Sequence, residues 1–177
     1  MEDFDARAPR WLLEGSYPEH TADEILPGLH MGGTADDDTV DLPAQLQELR
    51  AECDFDVVLT LYGFAQPFQW GVEELRYGFA DSDMESVDVT RVVRLAAYVH
   101  ERWTSGERVL IRCQAGLNRS ALVAALVLMI DGHEPAAAID RLREQRSVFV
   151  LCNRAFERWL LEEAADALAD HRSSPDA

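Results

Sequence analysis

Cys113-Gln114-Ala115-Gly116-Leu117-Asn118-Arg119-Ser120 is the stretch on which the reading of this chain turns. The run 108–111 (RVLI) before it reads as a strand, and 121–130 (ALVAALVLMI) after it is apolar on every side, as a central buried helix is. Strand, tight loop and helix in that order set backbone N–H groups at a helix amino end, where unsatisfied donors and the helix dipole both favour an anion. The N–H groups of Gln114, Ala115, Gly116, Leu117 and Asn118 are therefore candidate phosphate ligands. Gly116 lets the backbone turn closely, and Arg119 offers a planar fork to two phosphoryl oxygens. The same surroundings favour a thiolate, which makes Cys113 a candidate nucleophile, with the Ser120 hydroxyl beside it to stabilise that thiolate when it leaves. A buried strand-end cysteine and a surface arginine are the plain alternative. That alternative leaves unexplained why Cys, Gly, Arg and Ser fall at fixed offsets between a strand and an apolar helix.

On both sides of this stretch strand and helix signals alternate, without repeats or low-complexity blocks, which reads as α/β. Residues 24–26 and 29–31 form a hairpin-like entry, turned by Pro27-Gly28 and ended by Gly32-Gly33. Residues 43–53 have helical spacing through Leu46 and Leu49, and 56–61 (DVVLTL) read as a buried strand. The segment 62–71 is aromatic and irregular, 75–79 is a further strand, and 82–104 is a long helix with Val92, Ala96, Val99 and Trp103 on one face.

The bulk numbers limit what this can be. With 177 residues and 47% apolar content the chain buries one core, so a single domain over 21–170 is expected, with 1–20 loose and the polar 171–177 a disordered tail. Asp plus Glu number 33 against 16 Lys plus Arg, a formal net charge of −17, which disfavours nucleic acid and anionic lipid as partners. It also means that any phosphate site needs concentrated local positive charge. The amino terminus lacks the basic start and apolar stretch of a secretory signal, and no run is long and apolar enough to span a bilayer; the cytoplasm is the expected location. Three cysteines at irregular spacing (Cys53, Cys113, Cys152) fit neither a disulfide framework nor a zinc site, and the five histidines show no paired ligand spacing.

On these residues the chain resembles the cysteine-dependent protein phosphatases, whose signature is C-x5-R-S/T, and CxAGxxRS is most similar to the dual-specificity branch. Residues 24–33 (EILPGLHMGG), 56–61 and 108–113 (RVLIRC) are similar to that family's entry strand, second core strand and cysteine-delivering strand. Residues 146–156 (RSVFVLCNRAF) resemble its closing segment. The resemblance implies a protein tyrosine phosphatase-like fold: a central, mostly parallel twisted sheet of about four to five strands flanked by helices. It implies hydrolysis of phosphomonoesters through a cysteinyl-phosphate, with no metal and no cofactor. It further implies a general acid, an aspartate on a loop upstream of the cysteine. Asp81 fits, 32 positions before Cys113 (113 − 81 = 32) and between a strand and the long helix. Asp83 and Asp88 are rivals by residue type. Ser82 and Glu85 form an S-x-x-E capping pattern that puts Asp83 in the first helical turn, where a carboxylate complements the dipole without chemistry.

One position departs from the family, which usually has histidine immediately before the cysteine where this chain has Arg112. Arginine is a permanent cation but does not copy imidazole's hydrogen-bonding geometry. Either activity is weakened or its pH optimum displaced, or Arg112 points away from the loop into a salt bridge.

Related enzymes that take polyanionic inositol lipids often carry extra Lys or Arg at such loop positions, so the resemblance, with uncharged Gln114, Leu117 and Asn118 here, implies a phosphorylated protein as the expected substrate. Tyr62, Phe64, Phe68 and Trp70 either line a pocket for a phosphotyrosine ring or serve packing. The short chain suits a shallow cleft that also admits phosphoserine and phosphothreonine. A phosphatase of small phosphorylated metabolites or inositol phosphates, and a weakly active phosphate-binding module, are the alternatives. Cys53 or Cys152 is either a disulfide partner protecting Cys113 or an ordinary cysteine.

Overall fold

Pro27 and Gly28 turn the chain between Ala22–Leu26 (β1) and Leu29–Gly33 (β2), which pair antiparallel. Gly28 takes the left-handed φ of 83° that this turn needs. The remaining strands are Val57–Thr60 (β3), Glu73–Arg76 (β4) and Val109–Cys113 (β5). They complete a five-stranded sheet in the order β1-β2-β5-β3-β4, parallel everywhere except at β1–β2. The computed structural model describes residues 22–34, 55–68 and 72–173. The helix expected over 43–53, with Cys53, and Trp70 lie outside the described residues.

The central strand β5 is buried along its whole length, and its side chains alternate between two cores. Val109, Ile111 and Cys113 face the larger core, whereas Leu110 joins Phe55 and Val58 in a smaller one on the opposite face. The helices are Val89–Thr104 (α1), Arg119–Ile130 (α2), Pro135–Gln145 (α3), Arg154–Glu162 (α4) and Ala164–Ser173 (α5). α2 is apolar all round because it is surrounded: α1, α3, α4, β2 and β5 all pack on it, and every residue from Arg119 to Leu128 is buried. A loop entering this helix is thereby anchored to an element buried on all sides. Parallel strands deliver their carboxyl ends to one edge, which is where the crevice of an open α/β sheet lies.

Three expectations shift. The long helix over 82–104 is broken: Asp83 caps a single 3-10 turn, Met84–Ser86, by accepting from Ser86 N–H, and Asp88 caps α1 afresh by accepting from Arg91 N–H. Two short carboxylates each compete with a continuous helix for the backbone, and buried Val87 between them is extended. The strand expected at 75–79 runs Glu73–Arg76, because the chain leaves the sheet to let Gly78 pass against the backbone of Gly63; a Cβ on Gly78 would lie 2.8 Å from Gly63 N. The last helix continues through Ser173, past 171 where the polar tail was placed, with His171 and Arg172 in the final turn complementing its dipole.

Candidate active site

Cys113 ends β5 and its sulfur lies at the floor of the loop, where Gly116 N–H donates to Sγ at 3.3 Å and Ser120 Oγ lies 3.3 Å away. Both are donors that stabilise negative charge on sulfur. Gly116 has a φ of 70°, and a Cβ there would stand 2.4 Å from the carbonyl carbon of Gly32. Gly32 and Gly33, read from sequence as ending a hairpin, are in β2 and form the wall against which this loop folds. Thr34 N–H donates to the carbonyls of Cys113 and Gln114 at 2.8 and 3.0 Å.

Behind the loop stands Arg146, a residue to which the sequence assigned no role. Its Nε donates to Gly116 O at 2.8 Å, its Nη2 to Ala115 O at 3.3 Å, and its Nη1 pairs with Asp23 Oδ2 at 2.6 Å. In a planar trans peptide the oxygen and the hydrogen point opposite ways. Drawing the Ala115 carbonyl outward therefore turns Gly116 N–H inward to Sγ, and drawing the Gly116 carbonyl outward turns Leu117 N–H inward as well. A cation held on the loop's outer carbonyls thus aims its N–H groups inward.

Arg119, the first residue of α2, is buried, and its guanidinium lies 5.2 Å from the centre of the Tyr62 ring. Nη1 donates to Leu61 O at 3.4 Å and to Phe79 O at 3.3 Å, while the buried Nε has no partner among the described residues. Beside it opens a cleft of about 440 Å³ lined by Tyr62, Gly63, Phe64, Gly78, Phe79 and Ala80. Phe64 is 77% exposed at this cleft. Of the aromatic residues expected to line a ring pocket, Tyr62 and Phe64 do so. Phe68 instead packs with Phe55 on the other face of the sheet, where it stabilises the smaller core.

Arg112 takes the second of its two expected courses and points away from the loop. The reason is strand alternation: its neighbour Cys113 faces the larger core, so Arg112 faces the smaller one. There Nε donates to Thr60 Oγ1 at 2.8 Å, and Nη2 donates to Gln66 O at 2.8 Å and to Glu74 Oε1 at 3.0 Å. Burial opposes ionisation of Glu74. The hydrogen bonds it accepts from Thr60, Phe68 N–H and Arg112 outweigh that and hold its carboxyl below the ordinary range. Replacing Arg112 by Met removes one of the two cations on this carboxylate, Arg76 Nη1 at 3.0 Å being the other, and a loss of about 2 kcal/mol is expected in a denaturant melt; an unchanged midpoint would refute the pairing. A depressed folded-state pKa contributes stability above the unfolded value near 4.5 and loses it as pH falls through the lower folded value. Glu74→Gln should flatten that acid limb.

Asp81 lies on the irregular connection after β4, and both of its oxygens are engaged. Oδ2 accepts from Asn118 Nδ2 at 3.0 Å and Oδ1 from Asn153 Nδ2 at 2.8 Å. The fold therefore brings Asp81 to the rim of the loop, whereas the carboxylates of Asp83 and Asp88 are occupied in capping. Asn153 was missed from sequence, although an asparagine just before a helical pattern is a recognisable cap. Cys152 is exposed beside the loop, with Sγ 3.3 Å from Asn118 Oδ1.

The family model described as the dual specificity phosphatase catalytic domain matches residues 43–166. Dual specificity protein phosphatase 22 of Homo sapiens is 30% identical over 141 residues, covering 78% of this chain and 71% of its own length. The crystal structure of human DUSP28 has the same fold, with a TM-score of 0.69 at 22% identity over 86% of this chain and 97% of that one.

Proposed function

This chain belongs to the dual-specificity phosphatase family and is a cysteine-based protein phosphatase; from that premise we propose that Cys113 is its nucleophile, Asp81 its acid and base, and Arg119 its phosphate clamp. A lone pair on Cys113 Sγ attacks phosphorus, the bond from phosphorus to the substrate oxygen breaks, and Asp81 gives its proton to that oxygen. Water then attacks the cysteinyl-phosphate, Asp81 takes a proton from it, and the sulfur–phosphorus bond breaks to release inorganic phosphate. Ser120 Oγ, 3.3 Å from Sγ, stabilises the returning thiolate. Gln114, Ala115, Gly116, Leu117 and Asn118 offer backbone N–H groups to the phosphoryl oxygens in both steps.

The observation that carries this reading is the buried, unpartnered Nε of Arg119 at the helix amino end. A buried N–H without an acceptor is costly, and a phosphoryl oxygen removes that cost. The aromatic cleft beside it supports a phosphotyrosine side chain as substrate, within a site shallow enough for phosphoserine and phosphothreonine. A net charge of −17 repels polyanions, which supports phosphoproteins over nucleic acid or inositol lipids. A thiolate nucleophile must stay reduced, which suits the cytoplasm.

The test is hydrolysis of a phosphotyrosine peptide in EDTA. Turnover should withstand chelation, and Asp81→Asn should lower kcat/KM about 10²-fold. Full activity in Asp81→Asn with a loss in Asp83→Asn or Asp88→Asn would move the acid elsewhere.

A further inference from the structure

Asn118 stands at the N-cap position of α2, yet its side chain makes no capping hydrogen bond. Asparagine there ordinarily satisfies an N–H of its own helix. Its Oδ1 instead accepts from Asn153 N–H at 3.0 Å and from Cys152 Sγ at 3.3 Å. With the oxygen end of the amide held by two donors, the NH2 end is left to face Asp81 Oδ2 at 3.0 Å. Asn153 is oriented in the same manner. Its Oδ1 accepts from Ala155 N–H at 3.1 Å as the cap of α4, and its Nδ2 donates to Asp81 Oδ1 and to Ser82 O, each at 2.8 Å. A flip of either amide would set oxygen against carboxylate oxygen.

We propose that Asn118 and Asn153 form an amide clamp that positions Asp81 for proton transfer, with Asn118 acting from within the phosphate loop itself. The inference rests on Asp81 as the acid. Asp81 is exposed on an irregular connection, where an unrestrained side chain would populate several rotamers. The clamp selects one of them. Each carboxyl oxygen has two lone pairs, and one amide on each leaves the others to carry the proton in transit. Because one jaw belongs to the loop that binds phosphate, the acid is registered to the phosphoryl group rather than to the connection that bears it. Asn118 and Asn153 are thus positioning residues.

Leaving-group dependence distinguishes positioning of an acid from general support of the loop. Phenyl phosphate expels a basic phenoxide that needs the proton, whereas 2,4-dinitrophenyl phosphate expels one that does not. The variants are Asn118→Ala, which removes no capping bond, and Asn153→Ser, which retains a capping oxygen. In each, kcat/KM for phenyl phosphate should fall about tenfold further than kcat/KM for 2,4-dinitrophenyl phosphate. Asp81→Asn should show the same discrimination more strongly, and adding Asn118→Ala to it should increase that discrimination no further. Equal losses on both substrates in the asparagine variants, with discrimination kept in Asp81→Asn, would overturn the clamp alone. Equal losses in Asp81→Asn would overturn the acid assignment and the clamp with it.

Discussion

Cys113→Ser is expected to lower kcat/KM for a phosphotyrosine peptide by at least about 10⁴-fold, the scale on which removal of a nucleophile acts. A hydroxyl stays protonated near neutral pH and needs a base to become a nucleophile. Gly116 N–H and the Ser120 hydroxyl, both 3.3 Å from Sγ, are placed to donate to sulfur rather than to take a proton from a hydroxyl. The loop N–H groups and Arg119 remain in this variant, so the peptide should still bind, as calorimetry would show. Turnover in Cys113→Ser within tenfold of wild type would refute the cysteinyl-phosphate route.

Arg119→Lys is expected to cost about 10³-fold in kcat, the scale for losing a preorganised charge donor. The substitution preserves the charge, so the loss measures geometry. The guanidinium spends Nη1 on Leu61 O and Phe79 O, stacks near Tyr62 and still has Nε free for substrate. An ammonium on a flexible stem cannot keep both carbonyls and hold phosphoryl oxygens in a planar fork. A fall in kcat larger than the rise in KM is the expected signature of an interaction strengthened in the transition state. A rise in KM alone would reduce Arg119 to a binding residue.

The parts of this molecule that were legible from sequence share a local cause. The apolar run 121–130 sits on α2, the strand run 108–111 on β5, and the loop between them needs only their junction. Pro27-Gly28 carried the β1–β2 turn in the same way. The parts that were missed are long-range. Arg146 reaches the loop 30 positions upstream of itself, and Asn153 meets Asp81 72 positions away. No periodicity records either contact. The S-x-x-E pattern at 82–85 misled because Asp83 and Asp88 were better caps than Ser82. Arg112 was half legible: alternation along β5 already requires that it face away from Cys113, but the acceptors that receive it lie on β3, β4 and the irregular segment between them.

The brace behind the loop has a consequence for synthesis. Arg146 joins Asp23 near one end of the described chain to the carbonyls of Ala115 and Gly116, and Leu151 N–H adds a bond to Leu117 O at 2.8 Å. A ribosome makes Cys113 well before residues 146–153, and domains complete their packing as units once their chain has emerged. A nascent chain halted between them carries Cys113 without the residues that brace its loop. Catalytic competence therefore waits on residues that follow α2 in the chain, and a product truncated before Arg146 would keep a thiol but lack the brace behind its loop.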